Sequence, residues 1–356
     1  MSHLVIMAAG TGGHIIPGLA VASEMQRRGW SVSWLGTKGG RENKLVQPIG
    51  FPLDTIAFSG LRGKSVVATA LGGVRLLKAF WDCIQILRSR SASAVLGMGG
   101  YVCLPGGLMA SLLSKPLVLV NADATLLLSN KALLPVADRV AFGFDGVAAA
   151  TTKNASVTGN PVRVEIETMP APEQRYAGRS GPLRLLVVGG SLGAKVLNDT
   201  LPAALALLPA AARPYVTHQT GAVHFEAVRA AYADARVAAE ILPFIDDMPR
   251  RLAECDLMVC RAGAITVSEL CAAGVPALLV PLIVSTTAHQ RDNAQYMAGH
   301  GAAVHLPQSE LSAQALAETL RALDRAALQA MAMKARALAR PQAAARVADL
   351  IEELIK

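Results

Sequence analysis

The sequence predicts an α/β protein built from two doubly wound, parallel-sheet domains facing a deep cleft. Three observations lead there. Continuously apolar runs of three to six residues alternate with helical patterns along the 356-residue chain, as in parallel sheets covered on both faces. In each half the first such run ends in a glycine-rich turn: Ala9-Gly10-Thr11-Gly12-Gly13-His14 after Leu4–Met7, and Gly189-Gly190-Ser191-Leu192-Gly193-Ala194 after Leu185–Val188. The series breaks at Thr158-Gly159-Asn160-Pro161, a turn-forming cluster between the two sets.

In the first half the pattern predicts strands at Leu4–Met7, Ser31–Leu35, Ala94–Leu96 and Leu117–Val120, with helices such as Leu19–Arg28 and Val74–Leu87. In the second, strands are expected at Leu185–Val188, Tyr215–His218, Ala239–Leu242, Leu257–Cys260 and Ala277–Val280. Helices are expected near Val196–Leu208, His224–Ala233, Met248–Ala253, Ile265–Ala273 and Asn293–Gly299. The Pro-rich, charged stretch Met169–Pro182 reads as a surface loop. The domains are then residues 1–161 and 162–340. A last helical segment within 341–356 is a candidate to pack back on the first domain, a point the sequence leaves open.

The chain is 52% hydrophobic and 17% charged. Its longest uncharged stretch, which contains Val95–Ser114, is broken by five glycines and Pro105, so no membrane span is expected. Nor is a signal peptide, since the chain enters a strand almost at once. Five cysteines without a Cys-x-x-Cys pair give neither a disulfide framework nor a metal site. The net charge of +8 is one-sided: residues 1–160 hold 15 Lys and Arg against 7 Asp and Glu, whereas residues 161–356 hold 19 of each. Whatever needs positive charge meets the first half, with nucleic acid and an anionic membrane as candidates. At 4% aromatic residues, stacking platforms for nucleic acid are not supported.

A strand running into glycines and a helix bares backbone N–H groups that can hold an anion. A dinucleotide would want an acid closing the second strand, but that strand ends Trp34-Leu35-Gly36-Thr37-Lys38. His14 is either a general base poised near neutrality or a polar group fixing the helix start. Gly97-Met98-Gly99-Gly100-Tyr101 would add donors from the same sheet, or merely allow tight strand–helix packing. In Cys260-Arg261-Ala262-Gly263-Ala264-Ile265-Thr266-Val267-Ser268-Glu269 a small-residue turn suits a diphosphate, and Glu269 a ribose diol. A capping arrangement is the plainer alternative. His289–Asn293 suits sugar hydroxyls or a solvated helix start. Arg75, Leu76, Leu77, Lys78, Phe80 and Trp81 form a basic, apolar helix fit for an anionic bilayer, with Arg62 and Lys64 just upstream, or simply an amphipathic core helix.

These segments, in this order, resemble the MurG family, peripheral membrane glycosyltransferases that add N-acetylglucosamine to lipid I to make lipid II of peptidoglycan. The resemblance rests on Gly10–Pro17, Gly97–Tyr101, Thr158–Arg163, Gly189–Ala194, Phe244–Met248, Cys260–Glu269 and Gln290–Asn293. It implies a GT-B fold, an enzyme of cell-wall growth, shape and division, and a place on the cytoplasmic face of the bacterial inner membrane. It also implies cell-wall and division proteins as partners, and neither nucleic acid nor an obligatory metal.

By position, UDP-GlcNAc would be met by Thr11, Gly12, Gly13, Asp123, Arg163, Ser191, Ile245 (at the uracil), Ala264, Ile265, Thr266, Glu269 (at the ribose) and Gln290. The acceptor pyrophosphate would be met by Gly13, His14, Gly99, Gly100 and Tyr101. The implied reaction is inverting, with His14 or Asp123 as base toward the MurNAc 4-hydroxyl. Where the family shows His-Glu-Gln-Asn, this chain has Val120-Asn121-Ala122-Asp123. Its glutamate thus becomes Asn121, an amide that cannot serve as base, and its asparagine becomes Asp123. Ala9 stands where glycine is usual. Two other readings are a UDP-GlcNAc 2-epimerase of the same architecture and a membrane-bound nucleotide-sugar-binding protein without transfer activity.

Overall fold

The computed structural model describes residues 2–10, 12–58, 66–190, 192–282 and 288–355, with side chains from residue 75 in the helix that begins at Val66. It divides into two compact units, residues 1–161 with 340–356, and residues 162–339.

The first unit is a seven-stranded parallel sheet: β1 (His3–Ala8), β2 (Ser31–Thr37), β3 (Leu53–Ile56), β4 (Ala94–Gly99), β5 (Leu117–Asn121), β6 (Arg139–Phe142) and β7 (Ala155–Val157), in the order β3-β2-β1-β4-β5-β6-β7. β1 shows why an unbroken apolar run makes a central strand. Leu4, Ile6 and Ala8 enter one core, and Val5, Met7 and Ala9 the core on the opposite face, so both sides of the pleat are covered. Helix Ala343–Glu353 belongs to the first of these cores, where Val347, Ala348 and Ile351 join Leu4 and Ile6. Its outer edge is tied by Arg28, which donates to Asp349 (2.7 Å) and Glu352 (2.8 Å).

The second unit repeats the plan with six strands: β8 (Arg184–Val188), β9 (Tyr215–Gln219), β10 (Glu240–Leu242), β11 (Leu257–Cys260), β12 (Ala277–Leu279) and β13 (Ala303–His305). Their order is β10-β9-β8-β11-β12-β13, all parallel. Four strands have no counterpart in the sequence reading: β3, β6, β7 and β13. Three of them are sheet edges, and each spans only three or four residues, too short and too mixed in polarity to show as an apolar run.

The stretch Met169–Pro182 is not a surface loop. It carries helix Pro172–Tyr176, with Met169 and Tyr176 buried. Its charged residues look solvated in sequence, but the guanidiniums of Arg175 and Arg179 donate to the carbonyls of Ala273, Gly274, Ala253 and Cys255. These carbonyls close the helices Met248–Glu254 and Ala264–Ala273, where intrahelical donors run out.

The helix Val66–Ser89 turns Ala79, Cys83 and Leu87 inward, while Leu77 (68%) and Trp81 (61%) are exposed. All five cysteines are buried and free. Among the described residues, no helix is long and apolar enough to cross a membrane.

The closing helix makes a direct test of the first core. Ile351→Ala is expected to cost about 2–4 kcal/mol, read from urea unfolding, whereas Ile355→Ala, at a half-exposed position, should stay within about 0.5 kcal/mol. Equal small effects would show that the helix is not part of that core.

Candidate active site

In each unit the strand order reverses beside the first strand, and open α/β sheets bind ligands at the carboxyl ends flanking that point. In the first unit these are the ends of β1 and β4, which are hydrogen-bonded neighbours. Both glycine clusters of the first half lie there. The approach is close: a Cβ on Gly100 would come within 2.4 Å of the Ala9 carbonyl oxygen, so only glycine fits. Ala9 itself is not among the positive-φ residues, so alanine meets no backbone penalty.

Helix Gly12–Arg27 starts earlier than its apolar pattern indicates. Gly12, Gly13 and His14 are therefore its first turn rather than loop, with N–H groups that lack intrahelical partners. Thr11 lies outside the described residues. The His14 ring rests on Gly99, whose Cβ, if present, would lie 2.8 Å from Nε2. His14 Nδ1 is 3.4 Å from the Ala9 carbonyl. A carbonyl only accepts, so Nδ1 carries the proton and Nε2 the lone pair. Burial lowers the His14 pKa from its ordinary value, opposed by the Ala9 bond and the charge of Asp123. The ring is neutral at pH 7. Tyr101 is 57% exposed at the same rim.

β5 brings in the departure from the family motif. Asn121 is fully buried and fully used: Nδ2 donates to the carbonyls of Asp123 (2.8 Å) and Thr125 (3.0 Å). Its Oδ1 accepts from Leu127 N (3.0 Å) and Asn130 Nδ2 (3.2 Å). It is a brace for the loop that presents Asp123, which is half-buried and within electrostatic reach of His14.

In the second unit the corresponding ends are those of β8 and β11. Gly193 N donates to Gly190 O (2.8 Å) in a tight turn. Both glycines have positive φ, and a Cβ on Gly193 would fall 1.8 Å from Thr220 O. Ser191 lies outside the described residues. After β11, helix Ala264–Ala273 opens with Ala264, Ile265 and Thr266 as its first turn, so their amides form the donor end.

Glu269 follows one turn later, where it accepts from Arg163 Nε (3.0 Å) and Nη2 (2.8 Å), both on Oε1. Burial raises its pKa despite the arginine. Arg163 thus holds a carboxylate of its own chain, a contact the sequence did not indicate. Gln290 Oε1 accepts from Ala262 N (3.3 Å) and Leu282 N (2.9 Å), which leaves its amide NH₂ as the group available to a ligand. Asn293 donates to Ala262 O (3.1 Å), so one residue of the turn is clamped through both its N–H and C=O. Ile245 follows β10 with its side chain buried, so only its backbone can address a base.

The residues fall into two groups. Gly12, Gly13, His14, Gly99, Gly100, Tyr101 and Asp123 gather in the first unit. Ala264, Ile265, Thr266, Glu269, Arg163 and Gln290 gather in the second, with Ile245 two strands away from β8 at the sheet edge.

Two features were not legible in the sequence. One is Glu42, whose carboxylate folds back on the end of β2 and on Gly10 N. An acid does serve that strand end, but it is fully buried and spent on Thr37 and Gly10. The other is a buried chain under the second glycine turn. Tyr232 OH lies 3.0 Å from His218 Nδ1, His218 Nε2 lies 3.1 Å from Asn198 Oδ1, and Asn198 Nδ2 donates to Thr220 O (3.0 Å). Since Asn198 uses its NH₂ on a carbonyl, its Oδ1 must accept, which puts the His218 proton on Nε2 and makes Tyr232 the donor to Nδ1. The polar run His218-Gln219-Thr220 closing β9 was the only signal.

Two Rossmann-like units in one chain, each with its donor loops at the switch point, are the architecture of the GT-B glycosyltransferases. The glycosyltransferase family 28 N-terminal domain matches residues 4–142, and the family 28 C-terminal domain residues 184–354. An enzyme of Methylibium petroleiphilum named UDP-N-acetylglucosamine–N-acetylmuramyl-(pentapeptide) pyrophosphoryl-undecaprenol N-acetylglucosamine transferase is 70% identical, over 99% of this chain and 98% of its own. Its namesake in Chromobacterium violaceum is 65% identical over 99% and 98%. The crystal structure of Acinetobacter baumannii MurG superposes with a TM-score of 0.88 at 39% identity, over 99% of this chain and 100% of that one. The chain belongs to the MurG family of glycosyltransferase family 28.

Burial pushes the His218 pKa down to about 4 from 6.5. The folded state then binds fewer protons than the unfolded between those values, so stability is intact above pH 6.5 and falls as pH drops toward 4. The loss approaches about 3 kcal/mol. NMR titration of the imidazole, with urea midpoints at pH 7 and pH 5, checks this; a ring that protonates near pH 6.5 would refute it.

Proposed function

We infer that this chain is the N-acetylglucosaminyltransferase that moves GlcNAc from UDP-GlcNAc to the MurNAc 4-hydroxyl of lipid I, giving lipid II for peptidoglycan. The observation that carries this is the 70% identity, spanning both chains almost end to end, with an enzyme named for that reaction. The two remaining readings lose ground on it. Neither an epimerase nor a silent binding protein accounts for a match of that extent.

The residue roles proposed here are supported by the geometry of each unit. The second unit holds the donor: the first-turn amides of helix Ala264–Ala273 with Thr266, and the glycine turn carrying Ser191, take the diphosphate. Glu269 takes the ribose through the oxygen Arg163 leaves open, the Ile245 backbone the uracil, and the Gln290 NH₂ the sugar. The first unit takes the acceptor pyrophosphate on the amides of Gly12, Gly13 and His14 and along Gly99–Tyr101. Thr11 and Gly12–Gly13 with Asp123 also border the transferred sugar.

The 4-hydroxyl oxygen attacks the anomeric carbon as the bond to the β-phosphate oxygen breaks, and UDP leaves with that electron pair. His14 Nε2, neutral and unprotonated, takes the hydroxyl proton, and the Asp123 carboxylate stabilises the imidazolium that forms. Helix N-terminal amides take up the charge growing on the leaving diphosphate. No step is routed through a metal. Asn121 has no chemical role; it positions Asp123.

His14→Ala is expected to lower kcat about 10²–10⁴-fold, and Asp123→Asn to lower it less, measured as UDP release with a lipid I analogue in detergent. Because the His14 pKa lies below 6.5, the acid limb of kcat should fall below that pH. Absence of acceptor-dependent release by the wild type, despite donor binding, would refute the transferase. Loss of most kcat in Asp123→Asn alone would move the base to Asp123.

The membrane surface is assigned to helix Val66–Ser89 and the excess charge of the first unit. Leu77 and Trp81 stand one turn apart and exposed, near Arg75 and Lys78, while Leu76 and Phe80 are only half-exposed. Such a peripheral protein would sit on the cytoplasmic face, where cell-wall and division proteins are its proposed partners. Leu77→Ser with Trp81→Ser should reduce co-sedimentation with vesicles containing anionic lipid by about tenfold. Unchanged binding would remove the helix from the membrane face.

A further inference from the structure

The first glycine turn is held by a buried anion. Glu42, at the start of helix Glu42–Val46, is fully buried. Its Oε1 accepts from Thr37 N (2.6 Å) and Thr37 Oγ1 (2.7 Å), and its Oε2 from Gly10 N (3.3 Å). No cation among the described residues pairs with it. Burial works to raise its pKa, but the bonds from Thr37 and Gly10 prevail and hold it below the usual carboxylate range.

The surrounding chain is built to admit this group. A Cβ on Gly36 would lie 2.7 Å from Glu42 Cγ, and one on Gly40 2.2 Å from Oε1. Burying an unpaired carboxylate is costly unless several donors reach it. The Thr37 bonds alone would secure the end of β2. The third bond reaches 32 residues back, to the residue that turns β1 into helix Gly12–Arg27 at φ +94°.

We propose that Glu42 is a positioning residue for the acceptor's pyrophosphate. By occupying the Gly10 amide it orients the turn, so that the next amides, those of Gly12, Gly13 and His14, are the ones offered to the ligand. This rests on the acceptor reading of the first unit given above. It predicts an effect mainly on the acceptor, since the donor's nucleoside and diphosphate are assigned to the other unit and only its transferred sugar is assigned beside this turn.

Glu42→Gln separates this role from simple packing. The amide keeps the shape, and its oxygen still accepts from Thr37, but its NH₂ then meets Gly10 N–H, donor against donor. Expected is a rise of about tenfold or more in acceptor KM, with kcat within about threefold and the KM for UDP-GlcNAc within about twofold. Thr37→Val, which removes one donor to Oε1 and spares the Gly10 bond, should raise acceptor KM only about two- to threefold.

An unchanged acceptor KM in Glu42→Gln, or equal rises for donor and acceptor, overturns the proposal. If that variant does not fold, Thr37→Val decides, and wild-type acceptor KM there overturns it. A wild type without acceptor-dependent turnover would instead refute the function proposed above. Calorimetry with inorganic pyrophosphate would then decide the role of Glu42: weaker binding by Glu42→Gln supports it, and equal binding overturns it.

Discussion

Both units depend on one adjacency: the first strand of each lies beside the strand that begins its second half, β1 against β4 and β8 against β11. Because the chain winds away in opposite directions from that pair, the loops leaving the two carboxyl ends diverge and open a crevice between them. In the first unit the backbones there come nearly into contact, as the Ala9–Gly100 approach shows; in the second the close approach is between the turn after β8 and the end of β9, Gly193 against Thr220. Glycine is demanded by this contact as much as by φ. Helix N-terminal amides follow these turns without intrahelical partners, a consequence of how the sheets are wound.

Around these crevices, buried polar side chains do what apolar packing cannot, fixing loops in one orientation. Glu42 holds the first turn, Asn121 the loop after β5, the Tyr232–His218–Asn198 chain the ground under the second turn, and Gln290 with Asn293 the turn after β11. Each is satisfied by partners whose donor or acceptor sense is unambiguous, which makes the arrangement unique rather than merely stable. The braces also account for the altered motif after β5. Asn121 is spent on four bonds, which is why the reading proposed above gives the chemical role to Asp123 instead.

The division of labour proposed for the units accords with their charges and groups. The excess of positive charge lies in residues 1–160, the part to which the anionic lipid-linked acceptor and the bilayer are assigned. The nearly neutral second half offers instead oriented amides, one half-buried carboxylate and an amide side chain. These suit the diol, diphosphate and sugar of a nucleotide donor by geometry more than by net charge.

The sequence by itself determined the two doubly wound sheets, their central strands and their glycine turns. These follow from local properties: an unbroken apolar run needs cover on both faces, and a glycine turn after it needs no distant partner to be recognised. Edge strands such as β7 and β13 escaped because a half-covered strand of three residues leaves no such pattern. Tertiary structure alone decided where charge and hydrogen bonds went. Arg163 meets Glu269 across 106 residues, Glu42 reaches the first turn across 32, and the arginines around Tyr176 cap carbonyls instead of facing water. A buried polar group takes whichever partner the fold brings opposite it, and that choice is made by the winding of the sheets.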